Sequence, residues 1–282
     1  MTYGELLVHR VDAEWATNHA EDGKRTHLGA SVIGEKCSRA IWFSWLWADK
    51  EEFGGRMLRL FERGQRQEEI FAELLRGVGA TVWTTDPNTG KQFRITDYGG
   101  HFGGSLDGVA INLPDLPFGL RKDLPVLLEF KTHNQRSFDA LKKDGLIKSK
   151  PKHYKQAQVY MHKMKLNWCL YCAVNKNTDE VWFYFFQYVP SECTKLMARA
   201  ESIIFGKGIP ARISESPSWY ECTFCAFKGV CFKTKLPDVN CRTCAYSQAL
   251  PDGTWRCELD KPEILLSPKI GCSSHSYNSD LC

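Results

Sequence analysis

The sequence of 282 residues contains no long uninterrupted apolar segment. No run approaches the roughly 18 apolar residues that a membrane-spanning helix needs, so an integral membrane protein is not expected. The N-terminal stretch MTYGELLVHRVDAEW also lacks the apolar core of a secretory signal peptide. Internal repeats and low-complexity segments are missing as well. We therefore expect an intracellular protein that makes no membrane contact.

Charge of either sign is not in marked excess. The formal net charge is +4 and the pI is near 8.4, which only weakly favours an acidic partner such as nucleic acid. Hydrophobic residues make up 43% and charged residues 25%, as in ordinary globular proteins. Cysteine is plentiful, with 12 residues. Because disulfides are uncommon in a reducing compartment, clustered cysteines there indicate metal binding.

Periodicity predicts a mixed α/β fold. Helices are predicted over residues 37–48, which are aromatic-rich, 56–79, which show amphipathic spacing, 150–164, with Pro151 in the first turn, and 191–205. Apolar and β-branched runs predict strands over residues 80–85, 101–112, 126–131, 167–175 and 180–189, with a turn at 176–179. This order of elements is typical of a central mixed sheet flanked by helices.

Three charged residues are placed where two predicted strands end. Asp107 lies in GSLDGV, and Glu129 and Lys131 lie in LLEFKT on the next strand. Residues i and i+2 of a strand share a face, so Glu129 and Lys131 project together. If the two strands form a hairpin, Asp107 lies beside Glu129. Two adjacent carboxylates favour a bound Mg²⁺ or Mn²⁺, which polarises a phosphodiester and lowers the pKa of a bound water. Lys131 would then orient that water or stabilise developing negative charge.

The pattern SLDG followed by LLEFKT resembles the active-site core of the PD-(D/E)XK nuclease superfamily. The resemblance implies a restriction-endonuclease-like core, with Asp107, Glu129 and Lys131 at the family's catalytic positions. It also implies that the carbonyl of Phe130 is a further metal ligand. The Pro-Asp dipeptide that gives the superfamily its name is absent, because Leu106 precedes Asp107. That proline is often replaced in the superfamily.

Two further features resemble the RecB-like branch of this superfamily. Gln156 and Tyr160, in HYKQAQVYM, match its Gln-x-x-x-Tyr motif and lie one helical turn apart, where they could contact DNA or the active-site groups. Gly64 and Glu68, in RGQRQEE, match the upstream Gly-x-x-x-Glu motif of lambda-exonuclease-like phage enzymes. The resemblance makes Glu68 a metal ligand, and the adjacent Glu69 stays an alternative.

Three cysteines with the spacing Cys222-x₂-Cys225-x₅-Cys231 need a fourth ligand from elsewhere, and Cys37 is the candidate. This split arrangement resembles the iron–sulfur nucleases of the RecB-like branch, including CRISPR-associated and AddB-type enzymes. It implies a [4Fe–4S] cluster that joins the two ends of the nuclease core. Zinc bound by the same four thiolates is the alternative.

A second set of cysteines follows in the tail. The spacing of Cys241, Cys244, Cys257 and Cys272 predicts a structural Zn²⁺ site, with His275 as a substitute ligand. Trp255 and Tyr246 are expected to form a small core around it. We therefore predict a nuclease core over residues 1–232 and a zinc-binding tail over residues 233–282. The remaining Cys169, Cys172 and Cys193 are expected in the core.

The resemblance implies a Mg²⁺- or Mn²⁺-dependent deoxyribonuclease, and in particular an exonuclease of recombination, replication or repair. The basic run KKDGLIKSKPKHYKQ is expected to contact phosphates, and His133 and His153 are expected to be surface or phosphate-contacting residues. Resemblance to phage enzymes implies a location in the host cytoplasm and a single-strand annealing or recombination protein as partner. A CRISPR-adaptation nuclease that trims DNA ends and a non-catalytic DNA-binding metalloprotein are the alternatives.

Overall fold

The computed structural model describes residues 1–18, 25–49, 53–259, 263–265 and 267–281. The chain divides into two compact units. The first comprises Met1–Gly23, Glu52–Ile95 and Ser105–Cys193, and the second comprises Lys24–Glu51, Thr96–Gly104 and Thr194–Cys282. These units are defined by spatial proximity, and the boundary between residues 232 and 233 stays a prediction.

Helices and strands are interspersed along the chain. The α-helices are α1 (Tyr3–Asn18), α2 (Ser38–Trp45), α3 (Gly55–Gly77), α4 (Gln135–Ser149), α5 (Pro151–Met164), α6 (Pro190–Phe205), α7 (Tyr220–Thr223) and α8 (Lys228–Cys231). The strands are β1 (Leu28–Gly29), β2 (Thr81–Trp83), β3 (Arg94–Asp97), β4 (Phe102–Ser105), β5 (Gly108–Ile111), β6 (Val126–His133), β7 (Trp168–Asn175), β8 (Val181–Gln187), β9 (Ser247–Ala249), β10 (Trp255–Cys257) and β11 (Glu263–Leu265). None of the helices in the described part of the chain is long and apolar enough to cross a membrane.

A five-stranded mixed sheet is the centre of the first unit. Its order is β2-β5-β6-β7-β8, and only the β6–β7 pair is parallel. Strand β6 is buried over Val126–Phe130, as expected for a central strand covered on both faces. Helix α3 packs on this sheet, with the ring of Phe71 stacked on that of Phe130 at 5.1 Å. The predicted class, a central mixed sheet flanked by helices, is confirmed.

The second unit contains two small sheets, in the orders β1-β4-β3 and β9-β10-β11. Its core includes a buried arginine, Arg242. The guanidinium carbon lies 4.0 Å from the ring centroid of Trp45 and 3.9 Å from that of Trp47. Its NH1 and NH2 groups donate to the carbonyls of Trp45 and Thr26. Cation–π contacts and paired donors together keep this charge inside the fold.

Most predicted elements are found in the structure, but one strand is wrong. Residues 101–112 form two strands, because the chain turns at Leu106 and Asp107. Strand β4 pairs with β1 and β3, while β5 pairs with β2 and β6. The helices α1 and α4 were not predicted. In α3, the predicted apolar residues Phe61, Ile70 and Leu74 stay exposed, so only part of the apolar face is buried.

The expected small core of the tail is also wrong. Trp255 is buried, but it stacks on Trp45 at 5.6 Å and contacts the His101 ring at 5.7 Å. Tyr246 is exposed. The tail therefore shares its aromatic core with residues from far earlier in the chain. Cys169, Cys172 and Cys193 are buried, as predicted.

Candidate active site

Strand β6 brings Glu129 and Lys131 to the same face of the sheet, as its two-residue period requires. Nζ of Lys131 lies 2.5 Å from Oε1 of Glu129. The Glu129 side chain is completely buried, whereas that of Lys131 is 25% exposed. The lysine thus reaches from the buried carboxylate toward the adjoining cleft.

Asp107 lies opposite Glu129 because of the antiparallel pairing of β5 with β6, in which Gly108 is opposite Leu128. Its Oδ2 accepts a hydrogen bond of 2.7 Å from the backbone N–H of Phe130. The same oxygen lies 3.4 Å from Nζ of Lys131, which also donates to the carbonyl of Phe130 at 2.9 Å. Asp107, Glu129 and Lys131 are therefore brought together in one cluster.

Helix α3 supplies the third carboxylate. Its two consecutive glutamates, Glu68 and Glu69, point to different surroundings. Glu68 lines a cleft together with Phe130 and Lys131. Glu69 is exposed, and its Oε1 lies 2.6 Å from NH1 of Arg76. The structure thus places Glu68 with the cluster and Glu69 away from it.

Burial dominates the electrostatics of Glu68 and Glu129. Burial raises the pKa of Glu68 to about 7, and the charge of Asp107 contributes. Burial also raises the pKa of Glu129 to about 7, against the opposing effect of Lys131. Burial by itself would lower the pKa of Lys131, but the carboxylates of Glu129 and Asp107 raise it above its usual value. Lys131 is therefore charged at neutral pH.

Both carboxylate oxygens of Glu129 are buried without a hydrogen bond from any described residue. Oε1 forms an ion pair with Nζ of Lys131, so the lack of a partner is greatest at Oε2. Leaving buried acceptors unsatisfied is costly, and a hard divalent cation is a ligand that satisfies carboxylate oxygens. The oxygen donors of Glu68, Asp107, Glu129 and the Phe130 carbonyl are of the chemical kind that Mg²⁺ or Mn²⁺ binds, but as they stand no three described carboxylates, histidines or cysteines converge on one ion position.

Gln156 and Tyr160 lie on the buried face of α5. Nε2 of Gln156 donates to the hydroxyl of Tyr160 at 3.3 Å. Burial, and next the charge of Glu129, raise the pKa of Tyr160. Of the two predicted uses of this motif, the buried positions favour support of the active-site groups over direct contact with DNA.

A cleft of about 590 Å³ opens beside the cluster. The lysines Lys131, Lys150 and Lys176 line it, together with Ser137, His133 and His153. Lys150 and Lys176 have no carboxylate partner among the residues that the structure describes. Of the predicted basic run, Lys142 and Lys148 instead pair with Glu180 and Asp144. Only part of that run therefore faces the cleft.

His133 and His153 were expected to be surface or phosphate-contacting residues. Neither is an exposed surface residue, although both line the cleft. His133 is buried, and its ring contacts Tyr171 and Ser137. His153 is partly buried and lies 2.7 Å from the Tyr171 hydroxyl. The missed residue is Tyr171, which the parallel pairing of β6 with β7 sets opposite Glu129. A tyrosine in an apolar strand carries no sequence signal for such a position.

Cys37, Cys222, Cys225 and Cys231 all lie in the second unit and influence one another electrostatically. Nζ of Lys36 lies 2.6 Å from Oε1 of Glu221, so the segments that carry Cys37 and Cys222 are adjacent. Burial raises the pKa of Cys222, and the neighbouring Cys37 and Cys231 raise it further. The four thiols therefore lie within electrostatic range of one another.

The four cysteines of the tail set also influence one another electrostatically. Burial raises the pKa of Cys241, while Cys244, Cys272 and Cys257 contribute. His275, the predicted substitute ligand, hydrogen-bonds Thr243 at 3.1 Å. Within the described ranges, no three His, Cys, Asp or Glu residues are arranged so that they could hold a metal ion as they stand. The metal sites therefore stay predictions.

Comparisons with known proteins give fold-level similarity at most. No family model matches the sequence, and no curated protein matches it. A crystal structure of an alkaline exonuclease, LHK-Exo, from Laribacter hongkongensis is 17% identical, with a TM-score of 0.42, and covers 68% of this chain and 90% of that chain. The structure of LHK-Exo in complex with dAMP has the same identity and coverage and a TM-score of 0.44. The structure of SSO0001 is 14% identical, with a TM-score of 0.44, and covers 80% of this chain and 96% of that chain. Similarity at this level leaves the function to be inferred from the chain's own side chains.

Proposed function

We propose that this chain is a Mg²⁺- or Mn²⁺-dependent DNA nuclease of the PD-(D/E)XK type, in its RecB-like, lambda-exonuclease-like branch. We further propose that it acts as an exonuclease in recombination, replication or repair. The observation that carries the proposal is the Glu129 carboxylate. It is completely buried, its oxygens accept no hydrogen bond from the described residues, and Asp107 and Lys131 lie beside it.

In this proposal Glu68, Asp107, Glu129 and the carbonyl of Phe130 hold the divalent cation. When bound, the cation polarises a phosphodiester and lowers the pKa of a water molecule. Asp107 is held in place by the backbone N–H of Phe130. Its negative charge and that of Glu129 keep Lys131 protonated.

Lys131 is the residue that would orient the attacking water and stabilise negative charge on the phosphate. Its ammonium contacts Glu129, Asp107 and the Phe130 carbonyl, so its position is fixed relative to the proposed metal ligands. Gln156 and Tyr160 support this group from α5. Both side chains are buried and hydrogen-bonded to each other, and the charge of Glu129 acts on Tyr160.

The cleft supports a nucleic acid as substrate. Lys150 and Lys176 line it and have no carboxylate partner among the described residues, so their charges are available to phosphate oxygens. Contacts of this kind fix the position of a backbone without reading its sequence.

Alanine or isosteric substitution at the cluster tests the proposal. Asp107→Asn and Lys131→Ala should reduce Mn²⁺-dependent cleavage by at least about 100-fold. Asp123→Asn and Lys122→Ala are matched controls at exposed positions, and we expect them to retain wild-type activity. Undiminished cleavage by pure Asp107→Asn protein would refute the assignment. Digestion time courses on end-labelled and circular DNA distinguish an exonuclease from an endonuclease.

We also propose that Cys37, Cys222, Cys225 and Cys231 hold a [4Fe–4S] cluster, with zinc as the alternative. The tail site of Cys241, Cys244, Cys257 and Cys272 would hold Zn²⁺. The support is the proximity of the thiols within each set, since a bound cation relieves their mutual repulsion as thiolates. Protein purified without oxygen should be brown and contain iron and zinc. Colourless protein with zinc alone would reverse the assignment of the first site.

A further inference from the structure

A chain of hydrogen-bonded side chains lies in the wall of the cleft, apart from the three carboxylates. The hydroxyl oxygen of Tyr171 lies 2.9 Å from Nε2 of His133 and 2.7 Å from Nδ1 of His153. Nδ1 of His133 lies 3.0 Å from the hydroxyl oxygen of Ser137. Tyr171 is completely buried. None of these four side chains has a role in the metal-binding cluster proposed above.

Four elements of the first unit contribute one residue each to this chain. His133 ends β6, Tyr171 lies on the parallel strand β7, Ser137 is in the first turn of α4, and His153 is in the first turn of α5. The His153 and Tyr171 rings are stacked, with centroids 5.8 Å apart. Their geometry is therefore fixed by tertiary packing from several directions.

Both histidines are neutral at physiological pH. Burial lowers the pKa of His133 to about 4, and Lys150 and Lys131 add to this effect. Burial lowers the pKa of His153 to about 3, with Lys131 contributing next. Each ring then carries one N–H group and one acceptor nitrogen.

A single hydrogen on Tyr171 restricts how the chain can be arranged. The hydroxyl hydrogen has only these two ring nitrogens as acceptors among the described residues, so it is paired only if one histidine accepts from it and the other donates to it. The hydrogens of the whole chain must therefore point in one direction. Either they run from Ser137 toward His153, or they run from His153 toward Ser137. In both arrangements the two rings have the same tautomer, with Nε2–H in the first case and Nδ1–H in the second.

Both ends of the chain open into the same cleft. Ser137 and His153 line it together with Lys131. Nε2 of His153 makes no hydrogen bond to any residue that the structure describes, so it is available to a molecule in the cleft. A neutral chain with two accessible ends and two possible arrangements of its hydrogens has the properties of a proton conductor.

We propose that Ser137, His133, Tyr171 and His153 form a proton relay that serves the cleft. When His153 takes up a proton at Nε2, it passes its Nδ1 hydrogen to the hydroxyl oxygen of Tyr171. Tyr171 passes its own hydroxyl hydrogen to Nε2 of His133. His133 in turn passes its Nδ1 hydrogen to the hydroxyl oxygen of Ser137. Ser137 then releases its own hydrogen. No net charge is left on the chain, and water in the cleft restores the original arrangement.

The relay rests on the proposed function, and it accounts for the protons that phosphodiester hydrolysis moves. Hydrolysis of a phosphodiester removes one proton from the attacking water and adds one to the leaving oxygen. The relay accepts one proton and releases one, so it can connect these two events without an additional acid or base. Tyr171, His133 and Ser137 are positioning and relay residues, since their action passes through the chain.

Nitrogen-15 NMR of the histidine rings tests the relay without requiring activity. We expect His133 and His153 to be neutral at pH values above about 5 and to share one tautomer, or to exchange between both together. Opposite tautomers would leave Tyr171 with two donors or two acceptors and would overturn the proposal. An imidazolium at neutral pH at either position would overturn it as well.

Kinetics provide the second test. Tyr171→Phe keeps the ring and removes the hydroxyl, so we expect kcat to fall by about 100-fold, with KM for DNA unchanged and a smaller solvent deuterium isotope effect. The matched control is Tyr188→Phe, because the Tyr188 hydroxyl lies 2.8 Å from Nδ1 of His162 outside the cleft. Wild-type kcat and isotope effect in the Tyr171→Phe protein would contradict the relay.

Ser137→Ala is the variant to test if the Tyr171→Phe protein does not fold. It removes only the hydroxyl at one end of the chain, and the backbone N–H of Ser137 keeps its bond to Asn134. The same loss in kcat and isotope effect is expected, and wild-type values would count against the relay. If the wild-type protein cleaves no DNA with metal, the proposed function fails, while the shared tautomer still tests the chain.

Discussion

Nζ of Lys131 lies 2.5 Å from Oε1 of Glu129, and the carboxylate that it approaches is completely buried. Removing one partner of a buried ion pair leaves an uncompensated charge, whereas removing both does not. This difference makes the pair a sensitive reporter of the proposed active site.

In metal-free protein, Lys131→Met should therefore lower the free energy of unfolding by about 3–5 kcal/mol at pH about 8. The double variant Glu129→Gln with Lys131→Met should recover most of that loss. Urea unfolding in the presence of a chelator provides the measurement. Arg121→Met breaks the exposed pair between Arg121 and Asp123 and should stay close to wild type. A double variant as unstable as the single one would argue against a buried pair.

The raised pKa values of Glu68 and Glu129 predict how stability depends on pH. Both are about 7 in the folded protein, against ordinary values of 4.5. The folded state therefore binds more protons than the unfolded state between these values, and stability falls as pH rises from about 4.5 to about 7. Because a bound cation stabilises the charged carboxylates, Mn²⁺ should raise Tm more at pH about 8 than at pH about 5. Thermal unfolding with Mn²⁺ and with chelator measures this difference, which Glu129→Gln should reduce. An equal Tm increase at both pH values would contradict the proposed ligands.

The hydrogen bond between Gln156 and Tyr160 gives a third prediction. Tyr160→Phe removes the hydroxyl and leaves the buried Gln156 amide with one donor unsatisfied, so we expect a loss of about 1–3 kcal/mol in the free energy of unfolding. Replacing Gln156 by Leu together with Tyr160 by Phe should cost less than the two single changes combined, since no polar group is then left alone. Chemical denaturation of the four proteins completes the cycle. Strict additivity would show that the two residues do not interact.

Arg242 provides a prediction for the second unit. Its guanidinium carbon lies 4.0 and 3.9 Å from the ring centroids of Trp45 and Trp47, and two of its nitrogens donate to the carbonyls of Trp45 and Thr26. Lysine keeps the charge but has neither the planar stacking surface nor the forked donors. Arg242→Lys should therefore reduce stability by roughly 3 kcal/mol, which thermal or urea unfolding measures. Arg256→Lys, at an exposed position of β10, is the matched control and should unfold like the wild type. Equal stability of the Arg242→Lys protein and the control would show that the stacked cation contributes little.

The residues that the sequence predicted well are those whose positions follow from local period. A strand repeats its faces every two residues, so Glu129 and Lys131 had to project together, and the helical repeat put Gln156 beside Tyr160. The strand pattern on either side of Asp107 was less informative. It predicted one continuous strand over residues 101–112, whereas the chain changes sheets at Leu106 and Asp107. Local propensity does not encode which partner a strand will pair with.

The sequence by itself determined the set of chemical groups: adjacent carboxylates, a lysine two residues away and two groups of spaced cysteines. Only the tertiary structure decided which of them meet. It put Glu68 in the cleft and Glu69 against Arg76, and it enclosed Tyr171 between His133 and His153. The physical reason is that these choices depend on how α3 rests on the sheet and on the parallel pairing of β6 with β7. Both are contacts between residues distant in sequence, and no local pattern of side chains fixes them.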